Sequence, residues 1–465
     1  MLRAAAERGR RSNGRRAALL LAAAAFATGC VPAWDEQPLG ALVGTPSPAS
    51  QRIGCERAAE HVVLTVPAHL DPACTYTGGF EIRASGVVLD CRGARIEDVS
   101  GNLGRGIHVA APADASLSDV TVRNCVVAGF LNNVRISREG FEDLAPGAEY
   151  LAPLSNIVVE NSHLYRSRGS GVFVNAYVTG VALRDLEIAG SGSVGVYLEA
   201  GSRESTVERS RIHHNGFADT GPEGVAVTVE GLEFRYHSTG REGIAVDGSR
   251  ANRIRDNAFY SNSAGGIFLY ENCGEFYTQR PEQWWPRRTG ADDNVIEGND
   301  IEDEETGVWI GSRMAENQFF MDCSEPAYVS AFLLRIHRDH AARNVVRGNR
   351  FSRVTYGVRV EDDGARVEGN LFLANDPAAR AVLVGSKWRT IVLGAPVAGV
   401  VIESNDAALI GVAAPYRWIH GHADTAFAGN RAFDAAAGAF GAASLVEGEQ
   451  PPIDPFLFAI DFWRP

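Results

Sequence analysis

A five-residue pattern that starts with glycine and alternates apolar with variable residues occurs six times in this chain. The copies read GVFVN, GVYLE, GIAVD, GIFLY, GVWIG and GVRVE, and they start at Gly171, Gly195, Gly243, Gly266, Gly307 and Gly357. The shortest spacings between them are 23 and 24 residues, which defines the repeat unit. A unit of this length with two short strands cannot bury its apolar face alone, so neighbouring units must stack. The sequence therefore predicts an all-β solenoid of parallel strands.

The alternation within each copy predicts which side chains point inward. Residues two and four of the pattern, such as Val172 and Val174, face the interior because side chains alternate along a strand. The residue between them faces outward, and along the chain this position reads Phe173, Tyr197, Ala245, Phe268, Trp309 and Arg359.

A second repeated phrase, such as NRIRDNAF from Asn252, supplies small polar residues at a turn. Stacked from coil to coil, such side chains can satisfy main-chain groups that a turn leaves unpaired. We expect an internal ladder of this kind at Asn161, Asp185, Ser210, Asn257, Asn299, Asn349, Asn370 and Asn405.

These phrases resemble the right-handed parallel β-helix repeats of the pectin-lyase-like superfamily, including its sugar-binding, hydrolase-like and alginate-epimerase-like bacterial members. The resemblance covers roughly Gly78 to Asn405, and the entry segment from Cys55 also fits it. It implies an entry cap over 51–75, a right-handed parallel β-helix solenoid over 76–410 and a C-terminal cap over 411–465. It implies no single activity, because the superfamily contains lyases, hydrolases, epimerases and adhesins, and no catalytic motif carries over residue by residue.

The first 29 residues have the pattern of a secretory signal peptide. Six arginines precede the apolar run AALLLAAAAFA, which is too short to span a bilayer, and small residues follow it up to Cys30. Lipidation of Cys30 would make the chain an exported, membrane-anchored lipoprotein on the outer membrane, periplasmic or cell-surface side. The alternative is ordinary cleavage nearby. With lipidation, residues 30–50 would form the linker to the solenoid.

The cysteine count agrees with export, because six cysteines remain after Cys30 and an even number suits an oxidising compartment. Their positions in the repeat predict three pairs: Cys55 with Cys74, Cys91 with Cys125, and Cys273 with Cys323. No cysteine or histidine cluster has the spacing of zinc ligands, so no metal site is predicted, although calcium at the carboxylates is left open. The formal charge of −13 argues against nucleic acid as a partner. We expect a monomer.

Two insertions predict the position of a binding site. The spacings of 41 and 50 residues after Gly266 and Gly307 exceed one coil, and each extra segment leaves the same type of strand. A bond between Cys273 and Cys323 would join them into one wall. The outward aromatic residues could then stack on a glycan, or they could simply pack under the loops. The substrate-binding candidates are Phe173, Tyr197, Phe268, Tyr270, Trp309, Arg313, Trp284 and Trp285.

Carboxylates follow the same strands and provide one set of catalytic candidates. Glu199, Asp247 and Glu271 stand at or next to strand ends, where an acid and a base could act on a glycosidic bond. The 48-residue spacing of their glycines predicts two coils, or roughly 10 Å, between Glu199 and Asp247. A solvated acidic edge is the alternative, and we expect it for Glu361. Proton abstraction beside a uronate carboxylate has its own candidates in Tyr236, His237 and Arg241.

These observations predict an exported polysaccharide-active enzyme, a lyase or C5-epimerase that acts on a glycan containing uronic acid. A glycoside hydrolase with paired carboxylates is the first alternative, and a non-catalytic glycan-binding surface protein is the second. The acidic net charge favours hydrolysis, whereas the arginine, tyrosine and histidine group favours elimination or epimerisation.

Overall fold

The computed structural model describes residues 34–100, 104–217, 225–229, 232–236, 241–274, 287, 289–315, 317–321, 323–332 and 334–449. The predicted signal peptide and Cys30 lie outside these residues. Within the described parts of the chain, no helix combines the length and the apolar character needed to cross a membrane.

The described residues form a right-handed parallel β-helix, as the repeats predict. Their first sheet contains thirteen strands. These are Val62–Leu64, Phe80–Ile82, Arg105–Pro112, Asn132–Glu139, Val172–Val174, Val196–Leu198, Glu242–Asp247, Gly265–Tyr270, Thr306–Ile310, Tyr356–Val360, Arg380–Val384, Tyr416–Trp418 and Leu445–Glu447.

The second sheet wraps around the other sides of the coils and has twenty-four strands among the described residues. They are Gln51–Ile53, Ala68–Leu70, Thr75–Tyr76, Val88–Asp90, Arg95–Glu97, Leu117–Arg123, Val126–Ala128, Leu154–Tyr165, Thr179–Ala189, Thr206–Glu208, Arg211–His213, Arg253–Arg255, Ala258–Tyr260, Val295–Glu297, Asp300–Glu302, Val345–Arg347, Arg350–Ser352, Arg366–Glu368, Leu371–Ala374, Val401–Glu403, Asp406–Leu409, Ala426–Ala428, Arg431–Asp434 and Ala439–Ala442.

Smaller elements lie outside the two sheets. Two are antiparallel hairpins, Val225–Val229 with Leu232–Tyr236 and Val329–Ala331 with Leu334–Ile336, and Val397–Ala398 pairs with His422–Ala423 in parallel. The chain also has an α-helix at Lys387–Leu393 and 3-10 turns at Cys55–Arg57, Phe141–Asp143, Arg313–Ala315 and Phe319–Met321.

Each coil contributes one strand to the first sheet and, along most of the stack, two short strands to the second. Arg253–Arg255 and Ala258–Tyr260 belong to the second sheet, and Gly265–Tyr270 returns to the first. The β-branched residues of the pattern, such as Ile244 and Val246, are fully buried. They form one continuous apolar core, which explains why the repeat must stack to fold.

The long glycine spacings are insertions within single coils. Val196–Leu198 pairs directly with Glu242–Asp247, so the predicted two-coil separation of Glu199 and Asp247 is wrong. The extra residues of that coil contain the hairpin Val225–Val229 with Leu232–Tyr236. Glu199 and Asp247 therefore follow neighbouring strands, with one coil rise of about 4.8 Å between them.

The parallel stack is longer than the predicted 76–410. Val62–Leu64 pairs with Phe80–Ile82 at its start, and Tyr416–Trp418 pairs with Leu445–Glu447 at its end. The segments expected to form caps therefore contribute strands of their own. Cys55 is bonded to Cys74, Cys91 to Cys125, and Cys273 to Cys323, which are the three predicted pairs.

Residues 36–43 are attached to the outer face of the second sheet. Glu36 forms an ion pair with Arg95 at 3.0 Å. The main-chain N–H of Val43 donates to Asn124 Oδ1 at 2.9 Å, and Asn124 Nδ2 donates back to the Val43 carbonyl at 3.0 Å. This part of the expected linker is therefore bound along the coils and is not a free tether.

An asparagine ladder runs inside the stack as predicted. Each main-chain N–H donates to the side-chain oxygen one coil further on, at 2.9 to 3.1 Å, through Ser210, Asn257, Asn299, Asn349, Asn370, Asn405 and Asn430. The prediction was wrong by one residue in the earlier coils, where Ser162 and Leu186 occupy the ladder position. Asn161 and Asp185 stand at the preceding turn position with left-handed φ angles of 43° and 55°.

A parallel ladder passes through Asn215 and Asn262 and ends on a carboxyl group. Glu304 Oε1 accepts from the Asn262 main-chain nitrogen at 3.2 Å and from Nδ2 at 2.7 Å. Burial raises the pKa of Glu304 well above its usual value. The pKa of Glu304 is higher in the folded chain than in the unfolded chain, so the protonated carboxyl stabilises the fold. This stabilisation is complete at pH 4 and is lost as the pH rises through the folded-state pKa.

Glu304→Gln keeps the acceptor oxygen and removes the titration. We expect this variant to gain stability over the parent at pH 8, by at least about 1 kcal/mol, with a much smaller difference at pH 4. Denaturant midpoints at the two pH values measure the effect, and exposed Glu305→Gln is the matched control. An equal difference at both pH values would show that proton binding at Glu304 does not contribute.

Candidate functional site

The outward residues of the first sheet form the column that the alternation predicts. Strand register aligns Phe173 with Tyr197, Tyr197 with Ala245, Ala245 with Phe268, and Phe268 with Trp309. Phe173 and Tyr197 stack with ring centroids 5.0 Å apart and planes at 7°. Phe268 and Trp309 meet edge to face at 5.4 Å.

The column divides into a covered part and an accessible part. Tyr270 ends the strand Gly265–Tyr270 and packs in a buried cluster with Ala245 and Trp309. The small side chain of Ala245 leaves room for the Tyr270 ring. Tyr270 and Trp309 are buried, whereas Phe173, Tyr197 and Phe268 are half-buried. Tyr270 and Trp309 therefore pack against neighbouring side chains, whereas Phe173, Tyr197 and Phe268 keep part of their surface accessible to a ligand.

Asp247 lies beside this column and is fully buried. Its carboxylate accepts from the Tyr197 hydroxyl at 2.5 Å and from the main-chain nitrogen and Nδ2 of Asn272 at 2.7 and 3.0 Å. These three donors fix both oxygens in position. Asn272 was not predicted, because only the folded strand end brings it to Asp247.

Arg287 connects Asp247 to Glu199. One guanidinium nitrogen lies 3.5 Å from Glu199 Oε1, and another lies 3.8 Å from Asp247 Oδ2. The side chain comes from the insertion after Tyr270, and its main-chain N–H donates to Glu325 of the next insertion at 3.1 Å. Arg287 was not among the predicted site residues, since nothing in the sequence specifies its partners.

The two glutamate candidates have raised pKa values. Burial raises the pKa of Glu199 to about 7, although the neighbouring Arg287 opposes the shift. Burial raises the pKa of Glu271 to about 9, and the carboxyl of Asp339 contributes to this rise. Glu271 accepts from the His340 main-chain nitrogen at 3.1 Å. Both acids can therefore carry a proton near neutral pH.

Arg241 belongs to a second polar group on the same face. Its guanidinium contacts Glu242 at 3.3 Å and the Tyr270 hydroxyl at 3.1 Å, and that hydroxyl donates to Glu242 at 2.8 Å. Burial raises the pKa of Tyr270 far above its usual value, so the phenol keeps its proton. The Arg313 guanidinium lies 5.1 Å from the Tyr270 ring centroid.

The expectation for Glu361 was wrong. Its side chain is not part of a solvated edge, because the residue is only 2% exposed and bonds with Arg359 at 2.6 Å. His213 and His214, which the sequence places between these coils, lie on the second sheet, where the His213 ring stacks on Tyr260 at 4.4 Å. The structure therefore separates both histidines from the column.

Four predicted residues cannot be placed. His237, Trp284 and Trp285 lie outside the described residues, as does the side chain of Tyr236. Among the described residues, three groups have His, Cys or carboxylate atoms close enough to share a metal ion. None of these groups includes Glu199, Asp247 or Glu271, and two of them consist largely of disulfide sulfurs.

The comparisons with known proteins support the fold. Residues 77–280 match the family model described as right handed beta helix region. This match agrees with the strand topology above, and together they show a right-handed parallel β-helix. No curated protein sequence matches the chain.

Several solved structures are similar at low identity. The catalytic domain of a GH87 α-1,3-glucanase in complex with nigerose is 10% identical, with a TM-score of 0.42 over 82% of this chain and 60% of that one. The A-module of an Azotobacter vinelandii mannuronan C-5 epimerase is 13% identical, with a TM-score of 0.44 over 86% and 92%. An alginate lyase from Paenibacillus is 11% identical, with a TM-score of 0.36 over 80% and 91%. The chain thus spans about 60% of the length of the glucanase domain.

Proposed function

We propose that this chain is an exported polysaccharide-active enzyme whose site surrounds Glu199, Asp247 and Arg287, and that it hydrolyses a glycosidic bond. The observation that carries the proposal is the pair of carboxyl groups from neighbouring coils around one guanidinium, beside the stacked rings of Phe173 and Tyr197. Three disulfides are typical of an exported protein.

The two carboxyl groups differ in their surroundings, and this difference supports separate roles. Glu199, with a pKa of about 7, can hold a proton and donate it to the leaving oxygen. Asp247, fixed by Tyr197 and Asn272, serves as the base or nucleophile on the other side of the bond. Substrate must displace Arg287 from the carboxylates, because Asp247 is fully buried in this structure.

The aromatic rings support a glycan as substrate. Neighbouring coils are separated by about 4.8 Å, which is close to the length of one sugar ring, so the outer edges of the stacked Phe173 and Tyr197 rings recur at about the spacing of successive units. Both rings are half-buried, with Tyr197 on the coil of Glu199 and Phe173 on the preceding coil. This arrangement positions a chain that runs along the solenoid axis across the carboxyl pair.

Elimination or C5-epimerisation of a uronic-acid-containing glycan is the second candidate. It is favoured by the contact of the Tyr270 hydroxyl with Arg241 and Glu242, which places a phenol, a guanidinium and a carboxylate together. We rank it lower because Tyr270 keeps its proton and Arg241 already faces Glu242, which would compete with a uronate.

A panel of neutral and acidic polysaccharides tests these alternatives. Between pH 5 and 8 we expect new reducing ends without ultraviolet absorbance, with activity falling above about pH 7 as Glu199 loses its proton. Unsaturated products that absorb would establish elimination instead. Altered uronate stereochemistry without cleavage would establish epimerisation. Binding without any product would favour the non-catalytic surface protein and refute the enzyme proposal.

A further inference from the structure

Three polar atoms on two neighbouring strands of the first sheet have no hydrogen-bond partner among the described residues. They are Trp309 Nε1, Arg359 Nε and Glu361 Oε2. Trp309 and Glu361 are 8% and 2% exposed, so both side chains are more than nine-tenths buried. Buried donors and acceptors are rarely left unpaired, and each unpaired group in a native structure needs an explanation.

The three side chains are brought together by register. Trp309 pairs with Arg359, and Ile310 pairs with Val360, so the next residue of each strand, Gly311 and Glu361, are also neighbours. A Cβ on Gly311 would lie 2.3 Å from indole Cε2 of Trp309, the ring atom bonded to Nε1. The fused bond of the indole and the adjacent carbon of its six-membered ring therefore lie over Gly311, whose neighbour on the next coil is Glu361.

Arg359 partly covers this group. Its Nη2 donates to Glu361 Oε1 at 2.6 Å, and its guanidinium carbon lies 5.7 Å from the Trp309 ring centroid. The arginine side chain is 25% exposed, whereas that of Glu361 is 3% exposed. Outward rotation of Arg359 would open a small space with one indole donor and one carboxylate acceptor.

We propose that Trp309, Arg359 and Glu361 form a subsite for a neutral sugar unit, two and three coils beyond the strand of Asp247. A sugar hydroxyl accepts from the indole N–H, and a second hydroxyl donates to Glu361 Oε2, because hydroxyl groups can do both. A uronate carboxylate only accepts, so it cannot satisfy Glu361 Oε2, and it would compete with Glu361 for the Arg359 guanidinium. This subsite selects neutral over acidic glycans and rests on the proposed function of the groove.

Binding measurements with two variants test the subsite. The neutral probes are cellohexaose, laminarihexaose and maltohexaose, and the acidic probes are hexagalacturonate and hexamannuronate, each titrated calorimetrically into the full chain carrying Asp247→Asn. In this background Trp309→Phe keeps an aromatic ring and removes the indole N–H donor, so we expect affinity for the bound neutral probe to fall about fivefold to tenfold. Added Glu361→Gln should reduce the preference for neutral over acidic probes by about tenfold.

Matched controls lie outside the column. Trp418→Phe and Glu403→Gln make the same chemical changes elsewhere and should leave every affinity unchanged. Near-ultraviolet circular dichroism establishes that each variant is folded. Calorimetric titration measures binding whether or not the parent cleaves any probe, so the binding preference is tested separately from the hydrolysis proposal.

The outcomes separate the two proposals. Selective binding that depends on Trp309 and Glu361 supports the subsite, even where the parent protein forms no product. Unchanged affinities in both variants would show that the space holds only water and would overturn the subsite, as would a parent that binds none of the probes or prefers the acidic ones. A parent that cleaves neutral glycans with unchanged affinities in the variants would retain the hydrolase proposal alone.

Discussion

Asp247→Asn should lower kcat on the substrate found in the polysaccharide panel by about a thousandfold or more, with a much smaller change in KM. The substitution keeps the size of the side chain and the acceptor for the Asn272 main-chain N–H, but it removes the charge that a base or nucleophile requires. Reducing-end assays under saturating substrate measure kcat directly.

Asp300→Asn is the control for this variant. Asp300 is exposed on the second sheet and pairs with Arg350 at 3.1 Å, whereas the aromatic column lies on the first sheet. It should retain the parent rate. If Asp247→Asn folds normally and keeps more than a tenth of the parent kcat, Asp247 has no direct part in the chemistry.

Asn349→Ala should be among the most destabilising single substitutions in the stack. Asn349 Nδ2 donates to the Ile296 carbonyl and to Asn370 Oδ1, both at 3.0 Å, and its Oδ1 accepts twice from Asn299 at 2.9 Å. Alanine leaves these buried partners unpaired, and the expected loss is about 2 to 5 kcal/mol of unfolding free energy. Denaturant titration followed by circular dichroism measures it.

The neighbouring Arg350→Ala serves as the comparison. Its side chain is about half exposed and its ion pair with Asp300 is solvated, so its loss should cost less than about 1 kcal/mol. Similar midpoints for the two variants would mean that the ladder contributes no more than the surface, and our account of the coil interior would fail.

The sequence was sufficient for the fold because the fold is local and repeated. The alternation in GVFVN specifies that the Phe173 side chain points outward, and every further copy of the pattern specifies the same for its own middle residue. The bond of Cys91 with Cys125 followed from successive coils, whereas that of Cys273 with Cys323 followed from the two insertions. In a solenoid the same strand pattern recurs in every coil, so the sequence specifies the strand register many times over, whereas most folds specify each contact once.

The candidate site was less predictable because it depends on segments that break the repeat. A spacing of 48 residues fits two coils or one coil with an insertion, and only strand pairing shows the latter for Gly195 and Gly243. Arg287 reaches Glu199 and Asp247 from an irregular loop, so no periodicity assigns it. Burial of Glu361 likewise depends on the side chains around it, which spacing does not describe.

The disulfides cross-link the first coils and the middle of the solenoid but not its last coils, so the two ends should differ in resistance to unfolding. Two bonds cross-link the first coils, through Cys74 and Cys125 with their partners, and the third lies at mid-chain, whereas no cysteine follows Cys323. A stacked repeat can unwind from an end while the rest stays folded, and the last strands, such as Ala426–Ala428, are already partly exposed. We therefore expect the last described coils to unwind before the others, so that limited proteolysis removes them while the coils around Asp247 stay folded.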